Sequence, residues 1–380
     1  MKFFTQKDRL TAAIQDVLKA VATRTTIPIL TGIKIEADKA GIKLTASDSD
    51  ISIESFIPAE EEDKENAEII EPGAIVLPAR FFSEIVRKLP ESVIDLEVVD
   101  HFKTIIRSGN IEYNLNGLDA EEYPRLPKIS EDGAFTLPAD LLKTLIRQTV
   151  FAVSTSETRP ILTGVNWKIE NNQLTAVATD SHRLAMKKVP LNSSSGGDKV
   201  YNIVIPGKSL NELVKILDDS RDQVKIVITG NHILFKAKNM LFLSRLLEGN
   251  YPDTSRLIPT DSKTVVKLDA KEYYGAVDRA SLLAREAKNN VIKFSTVDQN
   301  TVEISSYTPE VGKVVEKIRS LSMEGEDIKI SFNALYMMDA LRAADGTELT
   351  IYFTGAMRPF VIKTDDDDSF VQLLLPVRTF

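Results

Sequence analysis

The five-residue word Pro28-Ile29-Leu30-Thr31-Gly32 recurs unchanged as Pro160-Ile161-Leu162-Thr163-Gly164, and the same spacing of 132 residues separates Ala46, Asp48 and Ser49 from Ala178, Asp180 and Ser181. A period this long is several times that of a solenoid unit, so the copies are whole domains and the chain is a tandem array. Its 380 residues leave room for about two to four domains, each large enough to bury a core.

Helix-period segments recur in pairs along the array. The first runs from Lys7 to about Ala22 with Leu10, Ile14, Val17, Leu18 and Val21 on one face; Leu142, Ile146, Val150 and Val153 repeat it, and Tyr273, Val277, Ala280 and Leu283 give a third version. In a second helix family, Leu77-Pro78-Ala79 leads into Phe82, Ile85 and Leu89, and Ile205-Pro206-Gly207 leads into Leu210, Leu213 and Leu217. In both, proline closes a strand and opens a helix. Ile330 to Ala344 has the same character, with Phe332 in the prolines' place.

β-branched runs such as Ile33-Lys34-Ile35, Ile51-Ser52-Ile53 and Ile226-Val227-Ile228 lie between, with hairpin turns at Gly41, Gly109, Gly230 and Ser193 to Gly197. Tyr123-Pro124 and Tyr251-Pro252 open irregular linkers. The reading is an α+β chain of three tandem copies, 1–128, 129–254 and 255–380, each with two helices packed on antiparallel sheets.

With no cysteine in the sequence, disulfide and thiolate chemistry are excluded, and a cytoplasmic setting fits best. The start of the chain carries no signal-peptide pattern, no apolar run reaches the ~18 residues of a membrane span, and His101, His182 and His232 lack metal-ligand spacing. No metal, cofactor or membrane is implied. Four consecutive carboxylates, Asp365 to Asp368, lack the glycine turn of a calcium loop and suit a solvated hairpin tip.

A net charge of −8 argues against a polyanionic partner until the charge is sorted by element. The six helical segments carry 16 basic against 12 acidic residues, leaving −12 for strands and loops. Such a distribution lets helices face phosphate while the remaining surface stays acidic.

Arg24-Thr25-Thr26-Ile27-Pro28-Ile29-Leu30, Thr179-Asp180-Ser181-His182-Arg183-Leu184, Asn250-Tyr251-Pro252-Asp253 and Leu375-Pro376-Val377-Arg378, in this order and across the whole chain, resemble the bacterial sliding clamps, the β subunit of DNA polymerase III. The resemblance implies a head-to-tail homodimer forming a ring of clamp domains, helices lining the hole. Such rings slide on double-stranded DNA without sequence preference, tether the replicative polymerase near the nucleoid, and perform no chemistry. By resemblance and charge, Arg24, Arg80, Arg147, Lys208, Arg279 and Arg285 are the phosphate-facing candidates.

The family's second surface is a pocket for a short linear peptide shared by the polymerase, the clamp loader, repair polymerases and other clamp-binding proteins. The resemblance assigns it Arg159, Leu162, Thr179, His182, Leu184, Pro252, Leu257, Leu373, Leu375, Pro376 and Arg378, with Met357 and Pro359 in a divergent segment. It places Tyr113 and Leu115 against Leu282 and Leu283 at the dimer seam. Read without it, the leucines are core residues and the arginines solvated helix faces. Two other functions compete: a scaffold that binds proteins without encircling DNA, and a hydrolase built on Asp180 and His182. The latter lacks a Gly-x-Ser-x-Gly elbow and a separated triad.

Overall fold

The computed structural model describes residues 1–61, 64–127, 129–131, 133–191, 200–286, 290–364 and 367–378. Among these, six α-helices interrupt a run of antiparallel strands: α1 (Lys7–Val17), α2 (Ala79–Lys88), α3 (Ala139–Val150), α4 (Gly207–Ile216), α5 (Ala270–Ala284) and α6 (Ala334–Ala343). Every one begins on the residue after a strand ends, at Gln6, Pro78, Pro138, Pro206, Asp269 and Asn333.

Direct entry requires an extended residue just before the first helical one. Proline supplies it at Pro78, whose φ of −56° is close to its locked value. Asp269 and Asn333 supply it with a side-chain cap, Asp269 accepting from the Glu272 amide at 2.7 Å and Asn333 from Leu335 and Tyr336 at 2.9 and 3.2 Å. Asn333, not Phe332, therefore takes the prolines' place; Phe332 is a fully buried core residue one position earlier. The first helix is also shorter than its periodicity suggests. It stops at Val17 and tightens into a 3₁₀ turn, Leu18–Ala20.

The chain forms two compact units, one chiefly Met1–Leu141 with Asn211–Leu246, the other chiefly Leu142–Ser193 with Leu247–Phe380. This division cuts through the middle copy because sheets run on from copy to copy. In the first unit, Met240–Arg245 pairs with Ile51–Pro58, fusing strands of two copies into an eight-stranded sheet. In the second, Asp367–Leu374 pairs with Arg183–Pro190 in the same way, giving nine strands.

Each joining strand belongs to the last hairpin of its copy. By the same rule the last strand of copy one, Ile111–Asn116, and the strand of copy three that corresponds to the acceptors, Gly312–Arg319, should have partners. Both instead form outer edges, of a five-stranded and a four-stranded sheet respectively.

Cores follow the helix periods. Leu10, Ala13, Ile14 and Val17 of α1 are buried, as are Tyr273, Ala276, Val277 and Ala280 of α5, where Phe294, Phe353, Phe360 and Phe332 form a chain of ring contacts. None of the described helices is long and apolar enough to cross a membrane. The predicted Ser193–Gly197 turn, Lys128 at the first boundary and two of the four consecutive aspartates, Asp365 and Asp366, lie outside the described residues. Asp367 is not at a free tip. It opens the strand Asp367–Leu374 and takes the buried Lys187 ammonium as its partner.

Candidate functional site

The repeated Asp-Ser pair makes the same turn in both copies. Asp48 Oδ1 accepts from the amides of Asp50 and Ile51, and Asp180 Oδ1 from those of His182 and Arg183 at 2.9 and 3.0 Å. Ser49 and Ser181 follow at φ of 80° and 75°, a left-handed conformation that the surrounding bonds must hold. The repeated tyrosine pins the strand before each turn. The Tyr123 hydroxyl accepts from the Ser47 amide and the Tyr251 hydroxyl from the Thr179 amide, both at 3.0 Å. Burial, partly offset by this bond, pushes the Tyr123 phenol up to about 12 and the Tyr251 phenol higher, so both stay protonated.

Tyr251→Phe leaves the Thr179 amide without its acceptor, and about 1 kcal/mol of local stability is lost. Faster hydrogen exchange at Thr179 with unchanged exchange at Ser47 is the expected readout; Tyr123→Phe should reverse the pattern.

Beyond this turn lies an apolar cluster. Val177, Leu184 and Leu373 are buried, with Met186, Ile258 and Leu375 packed on them. Sheet register explains the grouping: Leu184 lies opposite Thr179 on one side and Leu373 on the other. The C-terminal tail is tied down next to it, the Leu375 amide donating to His182 O at 2.9 Å and the Val377 amide to Ser331 O at 2.7 Å.

A polar hub supports the cluster. Arg183, only 9% exposed, donates from Nε to Asp180 at 3.1 Å, from Nη1 to Asp339 at 2.7 Å and from Nη2 to the Phe151 carbonyl at 2.7 Å. Its guanidinium lies 4.4 Å from the Tyr336 ring centre, and His182 stacks on the same ring at 6.2 Å. Tyr336 is placed by the Asn333 cap, which fixes the first turn of α6. Burial, with Asp180 adding to it, raises the Tyr336 phenol. The Asp180 carboxylate is thus taken up by Arg183 and by turn amides. Its contact with His182 is to the backbone, which leaves no Asp–His pair for hydrolysis.

Of the residues predicted for a peptide pocket, Leu184, Leu373 and Leu375 come together in the cluster, and Thr179 and His182 border it. Pro252 lines a groove shared with Val177, Met186 and Ile258. Leu257 does not join: it is 50% exposed, and its neighbour Ile258 packs on the cluster in its stead. In an irregular segment no periodicity tells which of two adjacent residues turns inward. Leu162 is buried within the 3₁₀ turn Pro160–Thr163, and Arg159 precedes that turn, exposed. Pro376 and Arg378 lie on the pinned tail. Met357, exposed, and Pro359, half-buried, occupy the turn between Glu348–Phe353 and Phe360–Thr364, outside the cluster. Arg183, Tyr336, Val177, Met186 and Ile258 escaped sequence reasoning, although Arg183 lies inside the Thr179–Leu184 motif.

The basic candidates differ in exposure and in the partners they hold. Arg24 is exposed in the loop after the 3₁₀ turn, not on α1; Arg80 on α2 is 84% exposed, with Glu84 at 3.9 Å; Arg147 and Lys208 are exposed on α3 and α4. Arg279 forms a two-pronged pair with Glu316 of the edge strand Gly312–Arg319, at 2.8 and 2.6 Å. That pairing holds the Glu316 carboxyl low and neutralises the arginine. Arg285 is 3.9 Å from Asp278, a loose surface contact.

Tyr113 is exposed and Leu115 half-buried on the edge strand Ile111–Asn116; Leu282 is exposed and Leu283 half-buried on α5, which packs against the edge strand Gly312–Arg319. Among the described residues no group of three or more His, Asp or Glu could hold a metal ion.

Known proteins give a consistent answer. Residues 1–127, 136–253 and 255–378 match the models of the N-terminal, central and C-terminal domains of the DNA polymerase III beta subunit. The beta sliding clamp of Bacillus subtilis is 62% identical over 380 residues, with both chains fully covered, and that of Staphylococcus aureus is 50% identical over the same span. The crystal structure of the Bacillus subtilis clamp superposes with a TM-score of 0.96, again with both chains fully covered. A Pseudomonas aeruginosa clamp bound to griselimycin, 25% identical with both chains fully covered, gives 0.91.

Proposed function

The chain belongs to the bacterial sliding-clamp family, the β subunit of DNA polymerase III, and on that premise we propose that two copies close head to tail into a ring that encircles duplex DNA. The protein is a processivity factor, not an enzyme. It tethers the replicative polymerase to the template and serves the clamp loader and repair polymerases in turn, working in the cytoplasm on nucleoid DNA. We place the domain boundaries at 128 and 254.

One observation carries the ring. Copy two docks its last strand on copy one, and copy three docks its last strand on copy two, leaving one unused edge of each kind. Joining Ile111–Asn116 of one protomer to Gly312–Arg319 of the next repeats the same junction, and a heterologous contact that closes on itself leaves neither of these two edges open. Tyr113 and Leu115 would then meet Leu282 and Leu283 of the partner protomer, withdrawing apolar surface from water.

Sliding needs phosphate contacts that are equal at every register and read no base. Arg24, Arg80 and Arg147 suit this better than Arg279, whose charge Glu316 already answers; Lys208 is a further candidate by its exposure on α4, and Arg285 is a weaker one. The Leu184–Leu373 cluster is the peptide pocket: apolar walls supply burial and the Thr179–His182 turn supplies polar orientation.

Retention on circular DNA tests the ring. Protein loaded onto a nicked circle should co-migrate with it through gel filtration and be released when the circle is linearised. Retention after linearisation, or a strict monomer at micromolar concentration, would favour the scaffold reading. Arg24→Glu should load but bind DNA less tightly, and the slope of log K against log salt should flatten by about 1 for each phosphate no longer neutralised.

A further inference from the structure

We propose that the polar groove continuing from the peptide pocket holds a carboxylate of the bound peptide about four residues beyond its apolar anchor. The proposal rests on the pocket assignment above. The groove, about 530 Å³, is floored by Gly164–Glu170, Gln173–Thr179 and Arg183–Pro190 and walled by the segment from Tyr251 to Ile258.

Its floor has an order set by register. Three successive cross-strand pairs share one face: Thr179 with Leu184 at the pocket, then Val177 with Met186, then Thr175 with Lys188. Lys168 lies on the other side of Thr175. Side chains on one face recur every second residue, so the Leu184 and Lys188 rows are about 13 Å apart, the span of about four extended residues. Val177, Met186 and Ile258 line the groove and also belong to the apolar cluster, so an extended peptide can pass from one to the other without leaving the surface. Its environment changes from leucine and methionine to lysine and threonine along the way.

The last row is suited to a carboxylate. Two lysines flank a threonine whose hydroxyl can donate, and the two strands on either side of a shared neighbour set their backbones about 10 Å apart, leaving room for one anionic group between them. Two carboxylates face the same groove. Glu170 pairs with Lys168 at 2.7 Å, and Asp253 is held by the Ser255 amide at 2.9 Å. Lys188 has no carboxylate partner among the described residues and is the cation that sets the preference. An acidic peptide segment is the occupant that complements it; a basic one would leave Lys188 opposed.

The test uses capped five-residue peptides with leucines at alternate positions, the spacing that keeps their side chains on one face of an extended chain, bare or extended at either end by serines carrying one aspartate two, four or six residues out. Titration calorimetry on the full-length protein should show an affinity gain of about fivefold for aspartate four residues out at one of the two ends, smaller at the other distances and shrinking as salt rises. Lys188→Gln should remove the gain and Lys188→Glu should turn it into a loss, while the bare peptide binds all three proteins equally. Bare-peptide binding with no aspartate effect, or an aspartate effect that survives Lys188→Glu, overturns the groove proposal and leaves the pocket standing. Failure of every bare peptide removes the pocket assignment and this proposal with it.

Discussion

Leu184→Lys should raise the Kd of a pocket peptide by 100-fold or more while native mass still reports a dimer. Leu184 is 2% exposed between Thr179 and Leu373, and Met186, Ile258 and Leu375 complete its surroundings. Removing the leucine's apolar surface alone is worth about 2–3 kcal/mol. The replacement adds a second effect: an ammonium group cannot stay among these residues without a partner, so the longer chain bends outward and occupies the volume the peptide needs. Leu184→Ala separates the two effects, because it opens space without a charge, and about 30-fold weakening is expected. The edge strands Ile111–Asn116 and Gly312–Arg319 are untouched by either change. An affinity within threefold of wild type for Leu184→Lys would remove the pocket assignment; loss of the dimer as well would show that the substitution acts on the fold.

Much of this architecture was legible in residues 1–380. Leu10, Ile14 and Val17 face a core because a helix repeats every 3.6 residues, and a proline before Ala79 or Gly207 marks a strand turning into a helix. What periodicity cannot show is which distant strand becomes a neighbour. Met240–Arg245 pairs with Ile51–Pro58, and nothing in either segment names the other. The same gap explains the site. The Thr179–Leu184 word pointed to Thr179, His182 and Leu184 by resemblance, yet the residue within it that ties the surroundings together is Arg183, whose partners Asp339 and Tyr336 come from α6. That Ile258 packs on the cluster while Leu257 stays exposed was not legible for a related reason, since no repeat constrains which side of an irregular segment packs inward.

The repeat itself separates what is structural from what is specialised. Asp48 and Asp180 build the same turn, and Tyr123 and Tyr251 pin the same strand, so these residues maintain the fold in both copies. After the serine the copies part. Copy one continues Asp50-Ile51, whereas copy two continues His182-Arg183, and only the second pair reaches across to Tyr336 and Asp339. On the proposed pocket reading, specialisation needed little beyond a shared turn: two substituted positions and a third copy whose α6 lies next to them.

Arg183→Met tests that account, with expected losses of about 2–4 kcal/mol in local stability and at least 30-fold in peptide affinity. The guanidinium bonds two carboxylates and a carbonyl and covers the Tyr336 ring, so its removal strands the Phe151 carbonyl and leaves Asp180 beside Asp339 without the cation between them. Breaking a buried pair from one side typically costs about 3–5 kcal/mol. The lower figure applies because Asp339 is about one-third exposed and keeps Arg342 at 3.2 Å. Methionine retains the length and covers the ring, so what is removed is charge and donors, not volume. Arg183→Lys restores a charge but not the planar fork, and recovers less than half of the loss. A cycle with Asp339→Asn locates the effect. Coupling of at least 1 kcal/mol between the two positions, with faster hydrogen exchange at both the 180–183 turn and the start of α6, places the hub as the brace of the pocket. Additive effects, or peptide binding unchanged in a folded Arg183→Met protein, would reduce Arg183 to a core residue with no bearing on the peptide.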